Sequence, residues 1–131
     1  MLYATDGAAA ADLRACVDAP VEIEPGGGAL IPSGIAIELS SREYCALVMA
    51  RSGLSVKHGI CLSNGVGLID FDYRGEILVG LRNMSDKTFT VSPGDRIAQL
   101  MVIRAERPEI EICSELSETG RGAGGFGSTG I

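Results

Sequence analysis

Short apolar runs, each closed by glycine, proline or serine, make up most of this chain. Residues 21–23 alternate apolar and polar side chains, the pattern of a half-buried strand. A turn at 25–28 leads to a strand at 29–31, and a turn at 32–34 leads to a strand at 35–39. Residues 44–49 form the next strand. The stretch 65–76 reads as a strand, a tight turn at Arg74 and Gly75, and the start of a second strand that runs through 77–79. Residues 87–91 alternate again, 92–95 turn, and 96–103 form a long apolar strand. Short strands at close spacing predict an all-β sandwich or barrel. Two places break the rhythm. Residues 54–58 predict one short helix or an irregular loop. The alanine run at 8–11 has helix propensity but is short and bounded by Gly7, so Asp12 is read there as a turn or cap residue.

Composition narrows this picture. The chain has 131 residues, enough for one domain with one core. Hydrophobic residues make up 46% and aromatics only 5%, so the core is aliphatic. A net charge of −6 argues against a duplex nucleic acid partner, because phosphate backbones select basic surfaces. No apolar run approaches the roughly 20 residues that span a bilayer, so no membrane partner is expected. The first residues lack the basic and apolar regions of a signal peptide, which points to an intracellular, cytoplasmic protein. The four cysteines form no C-x-x-C pair, and the one histidine, His58, has no cysteine companion near it. Zinc is therefore not expected, and the thiols are read as reduced and mostly buried.

Candidate chemistry begins with Asp70 and Asp72, two carboxylates inside an apolar run. Aspartate is depleted in strands and costly to bury alone. Such acids are either solvated turn residues or parts of a catalytic or metal site. Arg51, Ser52 and Gly53 could bind an anion through a guanidinium, a hydroxyl and a backbone N–H, or form an ordinary surface turn. Gln99 is a lone amide in an apolar strand and needs a partner, structural or ligand. His58, without a placed acid or nucleophile, is read as structural. The last ten residues before Ile131 hold five glycines together with Arg121, Phe126, Ser128 and Thr129. They read as a flexible tail that could close over a ligand, with Arg121 on phosphates and Phe126 stacked on a base. The tail lacks the ending of a P-loop.

Together these residues resemble the trimeric deoxyuridine triphosphate nucleotidohydrolases, the dUTPases. Five motifs carry the resemblance, in order and over essentially the whole chain: 10–13 (Ala-Ala-Asp-Leu), 51–53 (Arg-Ser-Gly), 67–75 (Gly-Leu-Ile-Asp-Phe-Asp-Tyr-Arg-Gly), 94–99 (Gly-Asp-Arg-Ile-Ala-Gln) and the tail 121–130. The third and fifth are long and specific. The chain departs from the usual pattern at Ala50, where proline is common, and at Ala123, where glutamate or serine is common. Gly80 stands where the related dCTP deaminases carry a catalytic glutamate. A non-catalytic nucleotide sensor on the same scaffold would have no need to keep Asp12, Asp70 and the tail.

The resemblance implies a distorted jelly-roll or β-clip-like barrel over residues 1–116. It implies a homotrimer with sites at subunit contacts, and a glycine-rich arm, 117–131, closing over a neighbouring site. The implied activity is hydrolysis of dUTP to dUMP and pyrophosphate, which limits uracil incorporation into DNA and supplies dUMP for thymidylate synthesis. Asp70 would be the general base, and Asp12 would hold Mg2+ through water. Arg51, Ser52, Gly53 and Gln99 would meet the phosphates or the attacking water. Asn64, Gly67 and Ile69 would bind uracil, with Tyr73 under the sugar. Arg121, Phe126, Gly127 and Ser128 would bind substrate once the arm closes.

Overall fold

The computed structural model describes residues 2–125. Ten strands and one short helix follow one another. They are β1 (Leu2–Tyr3), β2 (Ala11–Arg14), β3 (Val21–Ile23), β4 (Gly28–Pro32), β5 (Tyr44–Met49), α1 (Ser52–His58), β6 (Ile60–Leu62), β7 (Val66–Ile69), β8 (Leu78–Asn83), β9 (Phe89–Val91) and β10 (Arg96–Arg104). They form a five-stranded sheet in the order β1-β2-β10-β5-β7, a three-stranded sheet β4-β8-β6 and a two-stranded ribbon β3-β9. Every pairing is antiparallel. The fold is all-β, as the spacing of the apolar runs predicts, and jelly-roll-like, as the resemblance implies.

An aliphatic core fills the space between the sheets. Leu13, Ile31, Ile60, Ile77, Leu81 and Ile97 are essentially inaccessible to solvent. The described aromatic residues stay outside it: Phe89 packs against the core and lies 5.7 Å, ring centre to ring centre, from His58. Two described polar residues are buried, Ser33 and Asn83. Asn83, 0% exposed, donates from Nδ2 to the carbonyls of Ile23 (2.8 Å) and Lys87 (2.7 Å). Its Oδ1 accepts from the N–H and the hydroxyl of Ser85. Every hydrogen-bonding capacity of the amide is used, so its burial is compensated. The bonds join the end of β8 to β3 and to the 84–88 turn.

The structure corrects four expectations. Residues 35–39 form no strand. Ile37 and Leu39 do pack on the core, but both edges of β8 are already taken by β4 and β6, so the segment makes only an isolated bond from the Ile77 N–H to the Ile35 carbonyl. Alternation there reports burial without pairing. The 65–79 stretch is not a hairpin. β7 pairs with β5 in the large sheet, β8 lies in the small one, and 70–77 crosses between them. Asp12 is neither turn nor cap but the second residue of strand β2. Of the four cysteines, all free, only Cys45 is buried; Cys16 and Cys113 are exposed.

Candidate active site

β2 presents Ala11 and Leu13 to the core and Asp12 to the opposite face. Across the β2–β10 pair Asp12 stands level with Gln99, and across β10–β5 Gln99 stands level with Met49. Strict alternation along β10 would put Arg96 on the core side, because Ala98 is buried. It is not there. The register shifts between Arg96 and Ala98, so Ile97 and Ala98 are both buried while Arg96 and Gln99 share the Asp12 face. A bulge is the usual device for re-aiming a side chain beside a site.

Asp12 thereby gains two cations. Arg51 Nε lies 2.9 Å from one carboxylate oxygen and Arg96 Nη1 3.2 Å from the other. The side chains of Arg51 and Asp12 are only 24% and 15% exposed, so solvent screens this pair less than a surface bridge. Arg51 also donates from Nη1 to the Arg96 carbonyl at 3.2 Å, and Gln99 Nε2 donates to the Ala50 carbonyl at 3.1 Å. These bonds fix the chain where β5 passes into α1. Arg51 keeps extended backbone angles before the helix, and Gly59 closes it in the left-handed region at φ 66°. Ser52 and Gly53 stand at the start of that helix. A cleft of about 410 Å³ opens here, lined by Asp12, Arg51, Ser52, Gly53, Arg96 and Gln99 among others. With two guanidiniums, a hydroxyl, a helix start and one acid, the cleft is suited to a polyphosphate or a hydrated cation.

The remaining expected residues gather elsewhere. Gly67 is buried in β7, where a Cβ would stand 3.2 Å from Val48 Cβ and 3.5 Å from Asn64 Nδ2. A side chain here would have to displace Val48 by a few tenths of an ångström, so glycine suits the close approach of β7 to β5. Ile69 is half-buried, and Asp70 follows it, exposed, in a second cleft of about 420 Å³ with Tyr44, Cys45, Leu68 and Phe71 in its walls. The register sets the distance between the groups. Ile69 is level with Ala46 and Gln99 with Met49, so Asp70 lies two strands across and four residues along from Gln99. At ordinary strand spacing the two Cα atoms are roughly 16 Å apart. Within one chain, therefore, Asp70 and the Asp12 cleft do not face the same phosphate.

The dUTPase family model matches residues 1–130. The deoxyuridine 5'-triphosphate nucleotidohydrolase of Xanthomonas campestris pv. campestris (strain B100) is 50% identical over 129 residues, 98% of this chain and 85% of that protein. That of Ralstonia pickettii (strain 12J) is 52% identical over 128 residues, 98% of this chain and 86% of that protein.

This chain belongs to the dUTPase family.

Solved dUTPase structures agree in fold. The Staphylococcus bacteriophage 80alpha dUTPase with dUPNHPP superposes with a TM-score of 0.85 at 25% identity, covering 97% of this chain and 89% of that one. A point mutant of the dUTPase from phage phi11 of S. aureus, described for the coordination of a structural Mg(II) ion, gives 0.77 at 21% identity, covering 88% and 89%. Of the arm residues expected to meet substrate, Arg121 lies in an exposed turn at 120–123. Phe126, Gly127 and Ser128 fall outside the described residues. The site residue that sequence reasoning missed is Arg96. The break in alternation at Ile97 and Ala98, two apolar residues between two polar ones, is the signal that could have found it.

Proposed function

We propose that this dUTPase hydrolyses dUTP to dUMP and pyrophosphate at sites shared between the chains of a homotrimer. The observation that carries the reading is the Asp12–Arg51–Arg96 cleft, built for a charged phosphate chain and lying apart from Asp70 in the same subunit. A cleft with phosphate-binding groups, whose one carboxylate is tied to two guanidiniums, is completed if a neighbouring copy brings its Asp70 to it. Exposed apolar side chains on the edge strand β7, Val66 at 53% and Leu68 at 60%, give that neighbour a surface to cover.

In this reading Asp70 takes the proton of the water that attacks the α-phosphorus. Positioning and base catalysis of this kind supply about 10²–10⁴ in rate. Arg51, Ser52, Gly53 and Gln99 orient the phosphates, and Arg96 joins them. Asn64 and the β7 backbone at Gly67 and Ile69 pair with uracil in a slot too narrow for the thymine methyl, and Tyr73 packs under the deoxyribose. Residues 1–116 are the barrel domain, and 117–131 are an arm whose Arg121, Phe126, Gly127 and Ser128 close over the nucleotide.

Mg2+ fits the donor set as an outer partner. Among the described residues no group of three His, Cys, Asp or Glu side chains converges. Asp12 offers one carboxylate, already bonded to two guanidiniums. A single acid of this kind suits a cation that keeps its waters and takes other ligands from phosphate. When bound, the ion offsets phosphate charge. As for a membrane, among the described residues no helix is long and apolar enough to cross one.

The deciding experiment measures pyrophosphate release from dUTP, dTTP, dCTP and UTP, with Mg2+ and with chelator, and identifies each nucleotide product. Metal-dependent release from dUTP alone, giving dUMP, is the expected result. Saturable dUTP binding without release would leave a sensor, and ammonia from dCTP would mean a deaminase.

A further inference from the structure

The crossover after β7 is braced in a way that bears on Tyr73. Its ring folds back over Gly75. A Cβ at position 75 would stand 2.5 Å from the Tyr73 hydroxyl oxygen and 2.7 Å from Cζ. The hydroxyl donates to the Glu76 carbonyl at 2.8 Å. Glu76 is itself held from the other side. Its Oε1 accepts the Gly34 N–H at 2.7 Å. The next residue, Ile77, is buried in the core and donates its N–H to the Ile35 carbonyl at 2.8 Å. The ring is thus tied through Glu76 to the 33–35 loop and to the core, while 43% of Tyr73 stays exposed for a ligand.

Gly75 is needed for space rather than for backbone freedom. Its φ lies outside the left-handed region, and the nearest atoms an added Cβ would meet are those of the Tyr73 ring. Alanine at 75 therefore leaves the turn permitted and pushes the ring. Ordinary van der Waals separation requires a move of roughly an ångström.

We propose that Gly75 and Glu76 are positioning residues that set the depth of the Tyr73 ring, and through it the enzyme's discrimination between deoxyribose and ribose. This rests on the reading that Tyr73 packs under the sugar. Excluding a single hydroxyl demands that the ring sit in close contact with the 2′ carbon. A misplacement of about 1 Å is enough to cost two orders of magnitude when geometry is that tight. The Gly75 gap lets the ring lie low, the Glu76 carbonyl fixes its hydroxyl, and the Glu76 carboxylate fixes Glu76.

The test compares kcat/KM for dUTP and UTP, and the dissociation constants of dUMP and UMP, in the wild type and in Gly75→Ala, Glu76→Ala, Glu76→Gln, Tyr73→Ala and the Gly75→Ala/Tyr73→Ala double variant. Thermal melting reports folding for each. In Gly75→Ala the deoxy-to-ribo ratio is expected to shrink about tenfold or more. Glu76→Ala shifts it the same way. Glu76→Gln, which keeps an acceptor for the Gly34 N–H, restores it. The double variant matches Tyr73→Ala alone, because both changes act through one ring. An unchanged ratio in both Gly75→Ala and Glu76→Ala, with Tyr73→Ala still lowering it, removes the positioning role and leaves the Tyr73 reading intact. An unchanged ratio in Tyr73→Ala overturns both.

Discussion

Asp12 and Arg51 meet at 2.9 Å, carboxylate oxygen to guanidinium Nε, on the face of the large sheet turned away from the core. The contact joins two motifs that lie far apart in sequence. Asp12 is thus bonded to both guanidiniums, and on the proposed reading a hydrated cation would share the carboxylate with Arg51 and Arg96. Asp12→Asn keeps the shape and removes the charge. Its expected effect is a rise in the Mg2+ concentration needed for half-maximal rate, measured by metal titration at saturating dUTP, with dUMP binding unchanged.

Arg96→Gln tests whether the bulge in β10 serves the cleft. Loss of one charge-assisted contact to phosphate is expected to weaken binding of a non-hydrolysable dUTP analogue about tenfold or more. Calorimetry with dUMP is the control. Equal weakening of both ligands would mean that Arg96 acts only on the fold.

Asp70→Asn removes the base without changing size. Turnover is expected to fall by about 10²–10⁴ while affinity for the analogue largely survives. Unchanged turnover takes Asp70 out of that role.

Site sharing has its own signature. Asp70→Asn and Arg51→Ala are each expected to be nearly inactive. Mixed and reassembled, they regain activity if one chain's cleft can borrow a neighbour's Asp70. Sedimentation should give the mass of three chains. Failure of the mixture to recover any activity, despite proven subunit exchange, would place the whole site within one chain.

Asn83→Ala takes the amide from the Ile23 carbonyl and the Ser85 N–H in or near the core, while the Lys87 carbonyl keeps the Ser85 hydroxyl. A loss of about 3 kcal/mol in denaturant unfolding is expected, far above the few tenths typical of a surface change. A loss that small would mean that water replaces the amide.

Most strands were legible because their side chains obey period two and their ends carry glycine or proline. Tyr44–Met49 matches residue for residue. What escaped were features set by partners. Residues 35–39 alternate faithfully, yet the neighbouring strand β8 already has β4 on one edge and β6 on the other. The 65–79 stretch has the punctuation of a hairpin, but β5 captures one arm and β4 and β6 the other. Asp70 and Asp72 then cease to be puzzling, since both lie exposed on the crossover rather than within a strand. Asp12 looked like a turn residue because its neighbours are small; only its long-range partners make it strand. Arg96 was hidden by reading 96–103 as unbroken. The motifs marked the candidate site residues, and the pairing register shows that a single chain keeps them in two groups.

The pairing of β2 with β10 also sets an order of events during synthesis. β2 leaves the ribosome long before β10, so the large sheet lacks its central strand until β10 is made. The strands flanking β10 on both sides must wait for it. Non-local pairing of this kind folds in milliseconds to seconds rather than microseconds. A nascent chain cut short before Arg96 would lack Gln99 and the second guanidinium on Asp12, which form one wall of the Asp12 cleft.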